Sequence, residues 1–394
     1  ALSQRVRREL GGGVSQFAAI LAKTRGRQDV VDLGQGFPDF LGSAVALDVA
    51  SSSLQRSAML NQYTPHIGSA ELRAAVSGHF RSRYGAEFDP ASEILITTSG
   101  TEAVYAALQA LVDEGDEVLV FEPFWPWYLP CVRMAGGRPL LVRLSPPGFE
   151  LDPAVLERAF RSRPKVAVIN TPQNPTGHVL TVAELEMIAR LCCEYDVIAL
   201  SDEVYENVVF GSAIHRRLAD LPGMRERTLT VGSASKLFSV TGWRVGWLAG
   251  PAALIQGANV CHQHMTVCAP SPLQAGVAAA LQAEDGSYAS VVQLYEGNFA
   301  LLREAFEATG LVRACAAEGG YFLVVDVTPS GLDDLEFCGR LIDAAGVAGM
   351  PMRSFYAPGA DGAPPVTHLV RYAICKSRES VQRAVAALAD MRSL

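Results

Sequence analysis

Lys236 stands in Ser233-Ala234-Ser235-Lys236-Leu237-Phe238-Ser239-Val240-Thr241-Gly242-Trp243-Arg244, directly after the apolar run 228–232. A lysine that follows a buried-looking strand must lose its charge or gain a partner, because its ammonium is strongly hydrated. It is therefore a candidate nucleophilic amine. Such an amine makes an imine with a carbonyl compound. The cofactor that uses this reaction most often is pyridoxal phosphate, whose aldehyde, phosphate and pyridine nitrogen each need a protein partner. Ser233, Ser235 and Arg244 bring two hydroxyls and a guanidinium suited to phosphate. Taken alone, the segment fits an ordinary surface-loop lysine equally well.

Two further segments supply the missing partners. The run 197–200 reads as a buried strand delivering Ser201-Asp202-Glu203-Val204-Tyr205 at its carboxyl end, where open α/β sheets place their chemistry. Asp202 would keep a pyridine nitrogen protonated, making the ring an electron sink, and Tyr205 would bond the ring hydroxyl oxygen. The plain alternative for Asp202 is a helix N-cap or turn residue. Upstream, the run 166–169 ends in Asn170-Thr171-Pro172-Gln173-Asn174-Pro175-Thr176-Gly177, whose prolines and glycine suit holding Asn174 toward a ligand oxygen. Three strand-end loops thus carry Asn174, Asp202 and Lys236 in that order.

On these residues the chain resembles the class I aminotransferases, pyridoxal-phosphate enzymes of fold type I. The resemblance rests on Asn-Pro-Thr-Gly at 174–177, Ser-Asp-Glu-Val-Tyr at 201–205, Ser-Ala-Ser-Lys through Gly-Trp-Arg at 233–244, Gly34-Gln35-Gly36-Phe37-Pro38 and Arg371. It covers nearly the whole chain. Segments 31–40, 59–64 and 111–118 are most similar to the kynurenine aminotransferase and glutamine transaminase branch, and bacterial succinyldiaminopimelate and aspartate aminotransferases share many of them.

The resemblance implies that Lys236 forms the imine to the cofactor aldehyde and, once displaced by the amino acid, shuttles the proton at the substrate Cα. Gly100 and Thr101 follow the strand-like 94–98 at the start of a helical pattern, where free N–H groups make a phosphate seat. Ser99 or Thr101 as a plain N-cap is compatible with that role. By resemblance, Trp125 stacks on the pyridine ring, while Trp127 and Tyr128 read as packing residues without a role. Tyr63 matches a tyrosine that reaches the neighbour's phosphate across a homodimer. Arg371, in the alternating stretch 368–373, matches the guanidinium that grips the substrate α-carboxylate, helped by the Gly36 backbone N–H and by Asn174.

Two departures bear on substrate. Thr101 replaces a pocket tyrosine of the kynurenine and glutamine branch, and Val267-Cys268 replaces an aromatic-histidine pair supplied by the partner subunit. Both remove aromatic walls, which Phe17, Phe37 and Trp125 would rebuild. The expected activity is ping-pong transamination between a neutral, aromatic or sulfur-containing L-amino acid and a 2-oxo acid. Biosynthetic succinyldiaminopimelate or aspartate transamination, cysteine-conjugate β-elimination and a non-enzymatic scaffold remain as alternatives, in that order.

The elements that would position these residues follow from patterning. Strand-like runs alternate with helical patterns from about Ile94 to Leu248, the signature of a mostly parallel sheet covered on both faces by helices. Thr181 with Glu184 reads as a capping box opening the helix before the Asp202 strand. From about Ser290 a long amphipathic helix, strands near 321–326 and 368–373 and a helix from Ser377 form a smaller α+β domain. The expected division is an arm and part of the small domain at 1–45, a large cofactor-binding domain at 46–285 and a small domain at 286–394.

With 394 residues, 49% of them hydrophobic, the chain can bury the cores of two domains, and a net charge of −8 argues against nucleic acid as a partner. The basic start, Arg5-Val6-Arg7-Arg8, reads as a solvated or dimer-clasping arm. Eight scattered cysteines suggest buried thiols in a reducing compartment, and neither they nor the seven histidines have metal-site spacing. No run is long enough for a membrane span. A cytoplasmic homodimer is the expectation, with an organelle reached through a removed transit peptide as the alternative.

Overall fold

The computed structural model describes residues 2–10, 20, 22–56, 58–283, 287–359, 366–389 and 391–394. Phe17 and residues 360–365 of the proline-rich stretch 358–365, read from sequence as a surface loop, lie outside the described residues.

After a short β1 (Val31–Asp32), the alternation of apolar runs and helices builds a seven-stranded sheet. Its strands are β2 (Ile94–Thr97), β3 (Glu117–Glu122), β4 (Arg138–Arg143), β5 (Val166–Asn170), β6 (Ile198–Asp202), β7 (Thr228–Ser233) and β8 (Gly246–Ala249). They lie in the order β2-β8-β7-β6-β5-β3-β4. Every neighbouring pair is parallel except those made by β8, which runs against β2 and β7. The carboxyl ends of β2, β3, β5, β6 and β7 therefore share one edge of the sheet. Loops from five strands can converge there.

The strands are continuous apolar runs because both faces are covered. On one face Val118, Val120, Val166, Val168 and Leu200 pack against Ala103, Val104, Leu108 and Ile255. The alternate residues Leu119, Phe121, Ala167, Ile169 and Ala199 pack on the other face against Leu156, Leu185, Ile188 and Leu191. The helix Val182–Tyr195 opens with the expected capping box: the Thr181 hydroxyl accepts from the Glu184 N–H and the Glu184 carboxylate accepts from the Thr181 N–H. That fixes where the chain re-enters the sheet as β6.

A second sheet follows, of β9 (Arg313–Ala314), β10 (Phe322–Asp326), β12 (Met350–Pro351) and β13 (Leu369–Ala373) in the antiparallel order β12-β13-β10-β9. The helices Ser287–Ala308 and Arg378–Leu388 pack together against it, around Phe306, Phe337 and Tyr372. β1 pairs in parallel with β11 (Val347–Ala348), so the start of the chain is tied to this C-terminal layer before it runs on through Gly34 to Phe37.

Three sequence expectations are corrected here. The helix Ser99–Leu111 is entered through Thr98 rather than capped by Ser99 or Thr101, and Ser99 takes a left-handed φ of 85°. The cysteines are not uniformly buried: Cys193 is exposed and Cys261 and Cys268 are half-buried, although all eight are free thiols. Nor is the N-terminal segment simply solvated. The helix Gln4–Glu9 docks on the chain's own surface, Arg5 pairing with Glu114 and Glu9 with Arg133.

Candidate active site

A cavity of about 450 Å³ lies where the strand ends meet the second sheet. Of the residues singled out in the sequence, Gly36, Gly100, Thr101, Trp125, Asn174, Asp202, Tyr205, Ser233, Lys236, Arg244 and Arg371 all line it. Tyr63 does not: it stands 83% exposed beyond the turn Met59–Asn61. Val267 and Cys268 are also absent from the lining.

Lys236 projects from the one-turn helix Ala234–Leu237 that follows β7, and the Ser233 hydroxyl caps that turn by accepting from the Ser235 N–H. Its Nζ donates to the Gly36 carbonyl at 3.0 Å and sits 5.0 Å from the Tyr321 ring centre. Tyr321 also donates its hydroxyl to the Lys236 carbonyl, at 2.7 Å. Burial lowers the amine from the ordinary lysine value to about 8, helped by the positive charges of Arg371 and Arg244. A neutral nucleophile is thus accessible near neutral pH.

Asp202 ends β6 and is buried, which raises its carboxyl to about 6. Tyr128 works against that rise by donating its hydroxyl to Asp202 Oδ2 at 2.5 Å. Tyr205, three residues on, leaves its hydroxyl without a hydrogen-bond partner among the described residues. The Asn174 loop is set by its own hydrogen bonds: the Asn170 side-chain Oδ1 accepts from the Asn174 N–H at 2.8 Å, and the Gln173 backbone N–H donates to the His178 carbonyl.

Across the cavity, Arg371 comes from β13 opposite Val324 and Met350. Its Nη1 donates to Asn174 Oδ1 at 2.9 Å and its Nη2 to the Gly34 carbonyl at 3.0 Å, while its plane lies 3.8 Å from the Phe322 ring centre. Nε is buried without a partner. Phe322 also meets Gly36, where an added Cβ would lie 2.5 Å from the ring. Glycine is required there.

Whether these residues suit pyridoxal phosphate is tested by what they leave unsatisfied. The Ser235 hydroxyl is buried with no partner. The first-turn N–H groups of Gly100 and Thr101 have no intrahelical acceptor, and Gly246 crowds the same spot so closely that an added Cβ would lie 2.5 Å from the Gly100 nitrogen. Arg244 holds a left-handed φ of 53° and reaches the same cavity. Donors for a phosphate, a carboxylate for a ring nitrogen, an aromatic face and an amine occur together. The set fits the group.

Sequence reasoning missed Tyr128, Asn170, Tyr321 and Phe322. The reading of Tyr128 as a packing residue is corrected: it packs edge-on against Trp125, but its hydroxyl is bonded to Asp202. Its spacing of three from Trp125 at a helix start was the available signal. Trp127 is also more than packing, for it stacks on Trp125 at 5.2 Å and 17° and lines the cavity half-exposed.

Comparison with known proteins gives the same picture. Residues 28–388 match the model of the aminotransferase class I and II family. The chain is 40% identical over 370 residues to the probable N-succinyldiaminopimelate aminotransferase DapC of Mycobacterium tuberculosis, covering 91% of each. To kynurenine–oxoglutarate transaminase 1 of Homo sapiens it is 35% identical over 390 residues, covering 91% of this chain and 92% of that protein. The solved structure of YbdL from Escherichia coli, described as having a methionine aminotransferase function, superposes with a TM-score of 0.92 at 31% identity, covering 99% of this chain and 100% of that one. The fold is that of the fold type I aminotransferases. The chain belongs to the class I and II aminotransferase family and is a pyridoxal-phosphate-dependent transaminase.

Proposed function

We propose that this transaminase exchanges amino groups between a neutral L-amino acid and a 2-oxo acid, with pyridoxal phosphate bound in the cavity around Lys236. The observation that carries the proposal is the convergence of the Lys236 amine, the Asp202 carboxylate and the Arg371 guanidinium on one cavity. Bound pyridoxal phosphate supplies an aldehyde to the amino group and a cationic ring that draws electrons from the substrate Cα.

The chain's own groups do the rest. Ser233, Ser235, Arg244 and the N–H groups of Gly100 and Thr101 would hold the phosphate. Trp125 would cover one face of the ring, Asp202 would keep the pyridine nitrogen protonated and Tyr205 and Asn174 would bond the ring oxygen. Arg371 would grip the α-carboxylate, with the Gly36 N–H beside it. Lys236 Nζ, set free as a neutral amine, would take the Cα proton. The bond between Arg371 and Asn174 ties the second sheet to the strand-end loops, and with substrate bound this contact would help to keep water from these groups.

A neutral substrate is favoured because Lys236, Arg244 and Arg371, each with a role above, are the cations among the described residues lining the cavity. A homodimer belongs to the same reading, supported by the exposed Leu54, Met59, Tyr63 and Val267, with Tyr63 reaching the partner's phosphate. So do the division at 1–45, 46–285 and 286–394, and a cytoplasmic setting consistent with eight free thiols. The test is optical. Purified protein should be yellow, bleach with an amino acid and recover with a 2-oxo acid, and a panel of glutamine, methionine, phenylalanine, kynurenine, aspartate and succinyldiaminopimelate should rank the neutral donors first. A preference for the acidic donors would overturn the substrate assignment, and pyruvate with ammonia from a cysteine conjugate would show β-elimination.

A further inference from the structure

The segment from Gly34 to Phe37, of which Gln35, Gly36 and Phe37 line the cavity, is a strap whose carbonyl groups are all engaged. Three of them are held by cations: Gly34 by Arg371, Gly36 by Lys236 and Phe37 by Lys376, whose Nζ donates at 2.9 Å. The fourth, on Gln35, accepts from the Phe37 N–H. Both ends are tied by aspartates. Asp32 accepts from the Gly34 N–H and the Gln35 amide, and Asp39 accepts from the Ser377 N–H and the Ser380 hydroxyl.

Lys376 differs from the other two cations. It is 3% exposed, does not line the cavity and enters no ion pair among the described residues. A buried ammonium with one hydrogen-bond acceptor for three donors is unfavourable unless something else compensates. Here the compensation is the Phe37 ring, whose centre lies 3.9 Å from Nζ. The post itself is rigid, since Asn298 Nδ2 donates to the carbonyls of Ile374 and Lys376 and Ser377 caps the helix Arg378–Leu388. The chain has four lysines, and two of them meet this strap.

What the cation holds faces the substrate side of the site. Phe37 lines the cavity and is 38% exposed, so the ring area not covered by Lys376 is offered to the cavity. We propose that Lys376 is a positioning residue: seated on the Phe37 ring and bonded to the Phe37 carbonyl, it fixes that ring as an apolar wall for the substrate side chain, favouring long apolar and aromatic donors over short ones. The proposal rests on the substrate reading given above. Because the Lys376 ammonium is covered, it does not meet a substrate carboxylate.

The variants K376M and K376R test it with two readouts. Hydrogen exchange in the cofactor-free protein reports the pinning directly: the amides of Gly36, Phe37 and Asp39 should exchange about tenfold faster in K376M and near the wild-type rate in K376R. In the loaded enzyme, K376M should raise KM for phenylalanine and methionine about tenfold while alanine stays within about twofold and kcat is little changed. Unchanged exchange overturns the proposal, as does a parallel rise in KM for alanine and phenylalanine, or a loss confined to acidic donors. Should K376M fail to fold, F37L reads the same wall, and an unaltered phenylalanine-to-alanine ratio in F37L is equally fatal. A wild-type protein that transaminates nothing would count against the functional reading, while the exchange data would still decide whether Lys376 pins the strap.

Discussion

Replacing Asp202 with asparagine should make the cofactor-free protein more stable and the enzyme nearly inactive. Burial holds the Asp202 carboxyl at about 6, above its ordinary 3.8. A carboxyl raised in the folded state binds its proton more tightly there than in the unfolded chain, so folding is penalised as pH rises through this interval, fully so above about 6. At ~1.36 kcal/mol per pH unit the penalty is about 3 kcal/mol at pH 8 and roughly half that at pH 5. Asparagine removes it while its amide oxygen can still accept from the Tyr128 hydroxyl that now reaches Oδ2. Urea denaturation of cofactor-free wild type and D202N should therefore show D202N ahead by about 2–3 kcal/mol at pH 8, narrowing at pH 5. Transamination by D202N should fall by about 10²–10³-fold, because nothing then keeps the pyridine nitrogen charged. A D202N protein no more stable than wild type at pH 8, or one that keeps its activity, would refute this reasoning.

Tyr128→Phe keeps the ring packed on Trp125 but deletes the bond to Asp202, so the pH midpoint for cofactor binding should rise by about one to two pH units. Equilibrium titrations with pyridoxal phosphate between pH 5 and 8 check it, and superimposable curves would contradict it. For Lys236, about one amine in ten is neutral at pH 7, against about one in three thousand for an ordinary lysine. Stopped-flow capture of pyridoxal phosphate by the cofactor-free protein should speed up with pH and level off above about 8, and a rate still climbing at pH 10 would oppose the assignment. Arg371→Lys keeps the charge but loses the fork, so KM for amino acid and 2-oxo acid should both rise about 30-fold with cofactor affinity unchanged. A fall in cofactor affinity without a KM effect would place Arg371 elsewhere.

The sheet and its strand-end loops were legible in sequence because their signals are local. An apolar run, a turn of Pro, Gly or small residues and one polar residue mark β5 with Asn174, β6 with Asp202 and β7 with Lys236. What was not legible depends on distant meetings. Tyr128 reaches Asp202 across 74 residues, and Lys376 meets Phe37 across 339. No periodicity encodes such contacts. Tyr63 was singled out by resemblance, and in the single chain it stands 83% exposed, away from the cavity. That the helix Ser99–Leu111 is entered through Thr98, with a left-handed φ of 85° at Ser99, was not legible either, because such a backbone angle at a non-glycine residue leaves no signature in residue type.

The central claim is that the amine at position 236 bonds to the cofactor, and the chain allows a clean test because its lysines are just Lys23, Lys165, Lys236 and Lys376. Borohydride treatment of the pyridoxal-phosphate-loaded protein, followed by peptide mass mapping, should place the reduced adduct on the peptide containing Lys236 and leave the other three lysines unmodified. An adduct on Lys23, Lys165 or Lys376 with Lys236 untouched, or no adduct at all, would contradict the account.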